Sequence, residues 1–158
     1  MKIGSSIQYQ EAYTYSKNEK LPNKKEKKFQ AHSHEGNCLQ YSPCGTFLVT
    51  SGDNQLKSWK EDYNGDFTLR SCLSGLPKNL NAMCFQNNSK NLAIAVLDFK
   101  VRIVSTDNLK VTQVLSGHQD LVAGVAFLRN DLLVSGGADR VIKIWDVKKG
   151  KALDSVRN

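Results

Sequence analysis

Apolar and polar side chains trade places over short runs in this chain. "LVAGVAF" (121–127), "DLLVSG" (131–136) and "RVIKIWD" (140–146) are each six or seven residues long and rich in Val, Leu and Ile. Runs of that length and composition predict β-strands. Turn-forming residues separate them: Arg129-Asn130-Asp131, Gly137-Ala138-Asp139 and Lys148-Lys149-Gly150. A fourth strand follows at "KALDSV" (151–156), with counterparts at "DFTLRSCLS" (66–74) and "LKVTQVLS" (109–116). No segment sustains the i, i+3, i+4, i+7 apolar spacing of a helix for three turns.

The strand pattern repeats. Three stretches can be superposed: Ala31 to Lys60, Ser74 to Ser105 and Ser116 to Asp146. Asp53, Asp98 and Asp139 keep spacings of 45 and 41, and so do Trp59, Val104 and Trp145. His32, Leu76 and His118 are spaced 44 and 42. A period of about 40–45 residues with four antiparallel strands per unit is the signature of a propeller blade. The fold class is therefore all-β, a partial β-propeller of three four-stranded blades. Their expected limits are about 31–74, 75–116 and 117–158, after a polar, Lys-rich lead-in over 1–28.

"SGGADRVIKIWD" (135–146) suggests what holds a blade together. Its glycines allow a tight turn between the second and third strands. Asp139 in that turn can accept from the imidazole of His118, which can reach the Ser135 hydroxyl, which can accept from the indole N–H of Trp145. Trp and His carry an N–H into an apolar region, so each needs a partner. The first unit offers the same types in His32, Thr50, Asp53 and Trp59, with a turn one residue shorter. The second keeps only Asp98: Leu76 stands for the His, Ala95 for the hydroxyl and Val104 for the Trp. That blade is expected to be held by packing alone and to be the least rigid.

These residues resemble the WD-repeat family, whose blades carry this Asp–His–Ser/Thr–Trp network. The third unit matches through Gly117-His118, Ser135, Asp139 and Trp145-Asp146; the first has Lys60 where the pair's Asp would stand. Within the family, "EGNCLQYSPCGTFLVTSG", "LDFKVRIVSTDNLKVTQVLSGH" and "FLRNDLLVSGGADRVIKIWDVKKGK" resemble the opening blades of the autophagy protein sixteen-like branch. Val104 stands where that branch usually has Trp. The resemblance implies a non-catalytic protein–protein interaction scaffold acting in autophagosome assembly. Its partners would be peptide motifs docked on the propeller face and the autophagy conjugation machinery. No heptad run marks the coiled coil of that branch. The alternative is a WD-repeat scaffold of another complex, such as ribosome assembly or RNA processing. Three blades do not close a ring of the usual four to eight or so, so the expectation is an open fragment of a seven-bladed ring: a piece of a longer protein, a truncated gene product, or half of a ring completed by another polypeptide as partner. "KKEKKFQ" (24–30) lies where such folds keep the strand that clasps the ring.

Charge changes the picture little. The net charge is +7, of which +4 falls in residues 1–28 with seven Lys and three Glu. The Lys17–Lys28 run reads first as a solvated linker, which makes nucleic acid an unlikely partner. "SIQYQEAYTYS" (6–16) reads as an extended lead-in, or as a strand that docks on a partner's sheet edge. Cys38, Cys44, Cys72 and Cys84 lack CxxC spacing and no secretory segment precedes them. They are expected to be reduced and mostly buried, in a cytoplasmic protein recruited to membranes only through partners. His32, His34 and Cys38 in "HSHEGNC" lack the second ligand pair a zinc site needs. His118, Ser135 and Asp139 have the residue types of a hydrolase triad, but their spacing fits the internal network and leaves no free nucleophile. No metal, cofactor or catalytic site is expected.

Overall fold

The computed structural model describes residues 28–157. Twelve strands form three four-stranded antiparallel sheets, each with its strands in chain order. The first holds β1 (Gly36–Tyr41), β2 (Leu48–Gly52), β3 (Gln55–Glu61) and β4 (Phe67–Leu73). The second holds β5 (Leu80–Phe85), β6 (Asn91–Val96), β7 (Lys100–Ser105) and β8 (Val111–Leu115). The third holds β9 (Val122–Arg129), β10 (Leu132–Gly137), β11 (Val141–Asp146) and β12 (Lys151–Arg157). The leading strands lie side by side, β1 against β5 and β5 against β9. The sheets are therefore blades that fan out from a common inner edge.

Register makes the blades directly comparable. Leu48 pairs with Trp59, Leu92 with Val104 and Leu133 with Trp145. Each third strand carries an irregularity just before that last residue, where it meets its outer strand. Side chains alternate across the pleat, so each blade has a face toward the preceding blade and one toward the next. Val49, Leu56 and Phe47 on the first blade meet Leu92, Ile94, Val96 and Val104 on the second. Ala93, Ala95, Val101, Ile103 and Leu115 on the second meet Leu133, Trp145 and Val122 on the third. The cores lie between blades, which is why no single blade could stand alone.

The second blade, expected to be the least rigid, is the most deeply buried, with Leu92 to Val96 wholly inaccessible. It is packed on both faces, so both sides of β6 must be apolar. On the first blade's outer face, Ala31 and Phe29 cover Leu48 and Trp59. Phe29 packs edge-on to Trp59 and stacks on Phe67. The third blade's outer face is open, with Ile142 and Val156 half exposed at 50% and 55%. Residues 28–30 are not in a strand; the rest of the expected clasp, 24–27, lies outside the described residues. So do the Lys17–Lys27 run and the 6–16 segment.

Candidate functional site

In the third blade the four residues of the relay meet. Asp139 sits in the β10–β11 turn and His118 in the loop entering β9. The Asp139 carboxylate accepts from His118 Nδ1 at 2.8 Å. His118 Nε2 lies 2.7 Å from Ser135 Oγ, which accepts from Trp145 Nε1 at 2.7 Å. Ionised Asp139 can only accept, so Nδ1 of His118 carries the proton. The Ser135 hydroxyl then donates to Nε2 while accepting the indole N–H. Donor and acceptor capacities are matched along the chain, and such a chain polarises cooperatively. Burial pushes the Asp139 carboxyl up, but the Gln119 and Val141 amides and His118 outweigh it and hold it below its ordinary value. Gly137 is required here. A Cβ on it would lie 2.9 Å from Asp139 Oδ1, 2.9 Å from the Leu121 carbonyl and 3.0 Å from His118 Nδ1.

The first blade builds only part of this chain. His32 Nε2 lies 2.9 Å from Thr50 Oγ1, which accepts from Trp59 Nε1 at 2.9 Å. The expected link from Asp53 to His32 is missing: Nδ1 stands 3.8 Å from the carboxylate and is a buried nitrogen without a hydrogen-bond partner. Asp53 instead takes the Ser33 and His34 amides and the exposed His34 ring, whose Nδ1 is 2.9 Å away. The shorter turn explains the change. Three residues separate Ser135 from Asp139, but only two separate Thr50 from Asp53. Asp53 and Asn54 both adopt left-handed φ of 55° in it. Burial, then Lys57, lowers the His32 pKa against a weaker pull from Asp53.

The second blade is apolar at the matching positions, and its register corrects one assignment. Ile94 pairs with Arg102, as Thr50 does with Lys57 and Ser135 with Lys143. The hydroxyl position therefore belongs to Ile94, while Ala95 faces the third blade. Leu76, Ile94 and Val104 pack in one cluster. Removing His, hydroxyl and indole together leaves nothing unpaired. The blade is not held by packing alone, however: Arg102 grips Asp98 with two bonds of 2.6 and 2.9 Å. That guanidinium is the main reason Asp98 stays below its usual carboxylate range.

The loops entering each blade and the β2–β3, β6–β7 and β10–β11 turns form one edge of the molecule. The Leu97 amide bonds the Asn79 carbonyl at 3.0 Å, and the Ala138 amide bonds the Leu121 carbonyl at 2.7 Å. Asn79 and Leu121 are thus equivalent positions. Asn54, Phe99 and Arg140 are likewise equivalent, at φ of 55°, 67° and 63°. Asn tolerates this left-handed conformation; Phe gives up about 1–2 kcal/mol to hold it. Yet Phe99 is 40% exposed, so packing does not explain it. Sequence reasoning passed over Phe99, although a bulky residue directly after a turn Asp was the signal.

The remaining candidates resolve simply. Among the described residues no group of three His, Cys, Asp or Glu could hold a metal ion. His32 and His34 go to the relay and to Asp53, and Cys38 lies in β1 with its amide on Ser51. The cysteines are free, and contrary to expectation none is fully buried; Cys44 and Cys72 are exposed. Cys44 lies in the β1–β2 turn and Cys72 on the outer strand β4, both facing solvent. Hydroxyls of Ser42, Thr46 and Ser89 around Cys44 lower its thiol pKa to about 6. No helix among the described residues is long and apolar enough to cross a membrane.

A radial fan of four-stranded blades, two of them pinned by His–hydroxyl–Trp chains, defines a repeat protein of the propeller class. The particular repeat follows from comparison: the WD domain, G-beta repeat, matches residues 23–60 and 109–146. This chain carries WD40 repeats. The second match begins just before β8, on the outer strand of the preceding blade, and runs through β11. Protein tipD of Dictyostelium discoideum is 28% identical over 137 residues, covering 86% of this chain and 22% of that protein. Autophagy-related protein 16 of Arabidopsis thaliana is 29% identical over 131 residues, covering 79% and 25%. The crystal structure of the RRP9 WD40 repeats superposes with a TM-score of 0.71 at 21% identity, over 82% of this chain and 40% of that one. The chain thus spans about a quarter of the length of the curated relatives it matches.

Proposed function

We propose that this chain is the WD-repeat part of an autophagy protein sixteen-like factor, a non-catalytic cytoplasmic scaffold that docks partner proteins during autophagosome assembly. The observation that carries the scaffold reading is the state of Ser135. Its hydroxyl lies between His118 and Trp145 in a residue 1% exposed. A nucleophile needs an open approach and a base free to take its proton; here both are consumed in holding the blade. What the fold offers to solvent is a loop edge, and propellers present such edges to other proteins. The autophagy assignment rests on the resemblance of the three blades to that branch and on the similarity to Autophagy-related protein 16. The chain is also similar to Ribosomal RNA-processing protein 9 of Saccharomyces cerevisiae, so the experiment has to separate the two readings.

The test is where the tagged chain goes. On starvation it is expected to move from diffuse cytoplasm to puncta that carry the lipid-attached ubiquitin-like protein. Such recruitment would pass through proteins docked on the propeller. Accumulation in the nucleolus, or salt-sensitive retention by RNA, would overturn the assignment in favour of RNA processing.

A further inference from the structure

We infer that Phe99 and Leu121 form an apolar anchor between the second and third blades for an acidic protein segment carrying one bulky apolar side chain. This deepens the docking function proposed above and rests on it. Between the first and second blades, Asn54 donates its amide to the Asn79 side chain at 2.8 Å. This polar contact bridges a turn and the loop entering the next blade. One blade further on, the positions of Asn54 and Asn79 are taken by Phe99 and Leu121. The accepting Asn79 side chain is replaced by Leu121 and the Asn54 side chain by Phe99, two large apolar groups 38% and 40% exposed. Phe99 also keeps a backbone conformation suited to Asn. A junction that served only to join blades would gain from Asn at both places.

Charge on the same edge selects the occupant. Lys100 follows Phe99, Arg140 is the equivalent of Phe99 on the third blade, and Arg157 pairs across from Val141. Lys143 Nζ would lie 3.9 Å from a Cβ on Gly117, at the mouth of the loop that leads to Leu121. None of these four cations forms an ion pair with a described carboxylate. The nearby carboxylates are engaged, Asp98 with Arg102 and Asp139 with His118. Asp120 is the exception; it accepts the Leu121 amide and stays exposed. Arg140 and Arg157 line one shallow pocket with Asp139 and Ala138. An acidic segment therefore finds an apolar seat flanked by uncommitted positive charge, an arrangement in which the anchor supplies affinity and the rim supplies orientation.

The test uses the whole chain and three fluorescein-labelled peptides: Glu-Asp-Glu-Trp-Glu-Asp-Glu, its Trp-to-Ala version, and Lys-Lys-Lys-Trp-Lys-Lys-Lys. Fluorescence anisotropy should give binding of the acidic Trp peptide roughly tenfold or more tighter than either control, as expected for a single hot-spot side chain. The double variant Phe99→Asn/Leu121→Asn restores the first junction's residues, so it should keep its melting temperature within ~3 °C and lose roughly tenfold in affinity. Lys100→Glu/Arg140→Glu should lose as much and show a flatter salt dependence. Equal binding of the Trp and Ala peptides, full binding by the folded Asn variant, or no binding by the native chain overturns the anchor. Starvation-induced recruitment in the absence of peptide binding sinks the anchor and leaves the docking function standing. Peptide binding without recruitment sinks the autophagy assignment instead.

Discussion

The relay of the third blade lends itself to a quantitative test through Ser135→Ala. The hydroxyl is the only bridge between two buried groups: Trp145 is 1% exposed, and the His118 side chain 1%. Its removal strands the indole N–H and the imidazole Nε2. Each unpaired buried group costs about 1–3 kcal/mol, so the variant should lose about 2–6 kcal/mol. That is a large part of the roughly 5–15 kcal/mol available to a domain. Trp145→Phe removes the donor beforehand, so adding Ser135→Ala to it strands only the imidazole. The two substitutions should then be non-additive, with a coupling of about 1–3 kcal/mol. Urea unfolding followed by far-ultraviolet circular dichroism reads this directly, provided the slope with urea stays constant. A loss below about 0.5 kcal/mol for Ser135→Ala, or strict additivity with Trp145→Phe, would refute the relay as a stabilising unit.

Three further outcomes are expected. Gly137→Ala should destabilise by about 1–3 kcal/mol because its Cβ meets the Leu121 carbonyl, Asp139 and His118, whereas Gly136→Ala, which meets nothing within 4 Å, should be near neutral; thermal melts of both decide it. His32 has a folded pKa lowered mainly by burial, so the unfolded chain binds its proton more readily. Stability from this residue is complete above the unfolded value of about 6.5 and falls as the pH drops through the folded value. In urea titrations at pH 7.5 and 5.5, His32→Leu, which copies the residue of the second blade, should lose less stability on acidification than the native chain does. Cys44, held near a pKa of about 6 by three hydroxyls, should be alkylated by iodoacetamide at pH 6.5 well before Cys72; peptide mapping that finds Cys72 modified first would contradict the thiolate.

Much of this was legible in the chain itself. Alternating strands, turn residues and a period of about 42 residues mark the blades, because a strand's two faces and a tight turn's backbone are local requirements. The residue types of the third blade's relay could be read from their spacing for the same reason: the turn length is a local quantity. Other assignments depended on register. Whether Ala95 or Ile94 occupies the hydroxyl position differs by one residue, and one residue flips a side chain to the opposite face. Only the pairing of Ile94 with Arg102 resolves that.

By itself, then, the sequence determined the repeat, the strands and the chemistry stocked in each unit. Tertiary structure decided how that chemistry was spent. One missing turn residue moved Asp53 from His32 to His34, and neighbours on both sides made the second blade the most deeply buried. The junction of the second and third blades set Phe99 beside the loop carrying Leu121, open to solvent. Hydrogen bonds and packing act over a few ångströms between residues twenty or forty positions apart. Partner choice is therefore settled by where the blades stack, and not by anything written along a single strand.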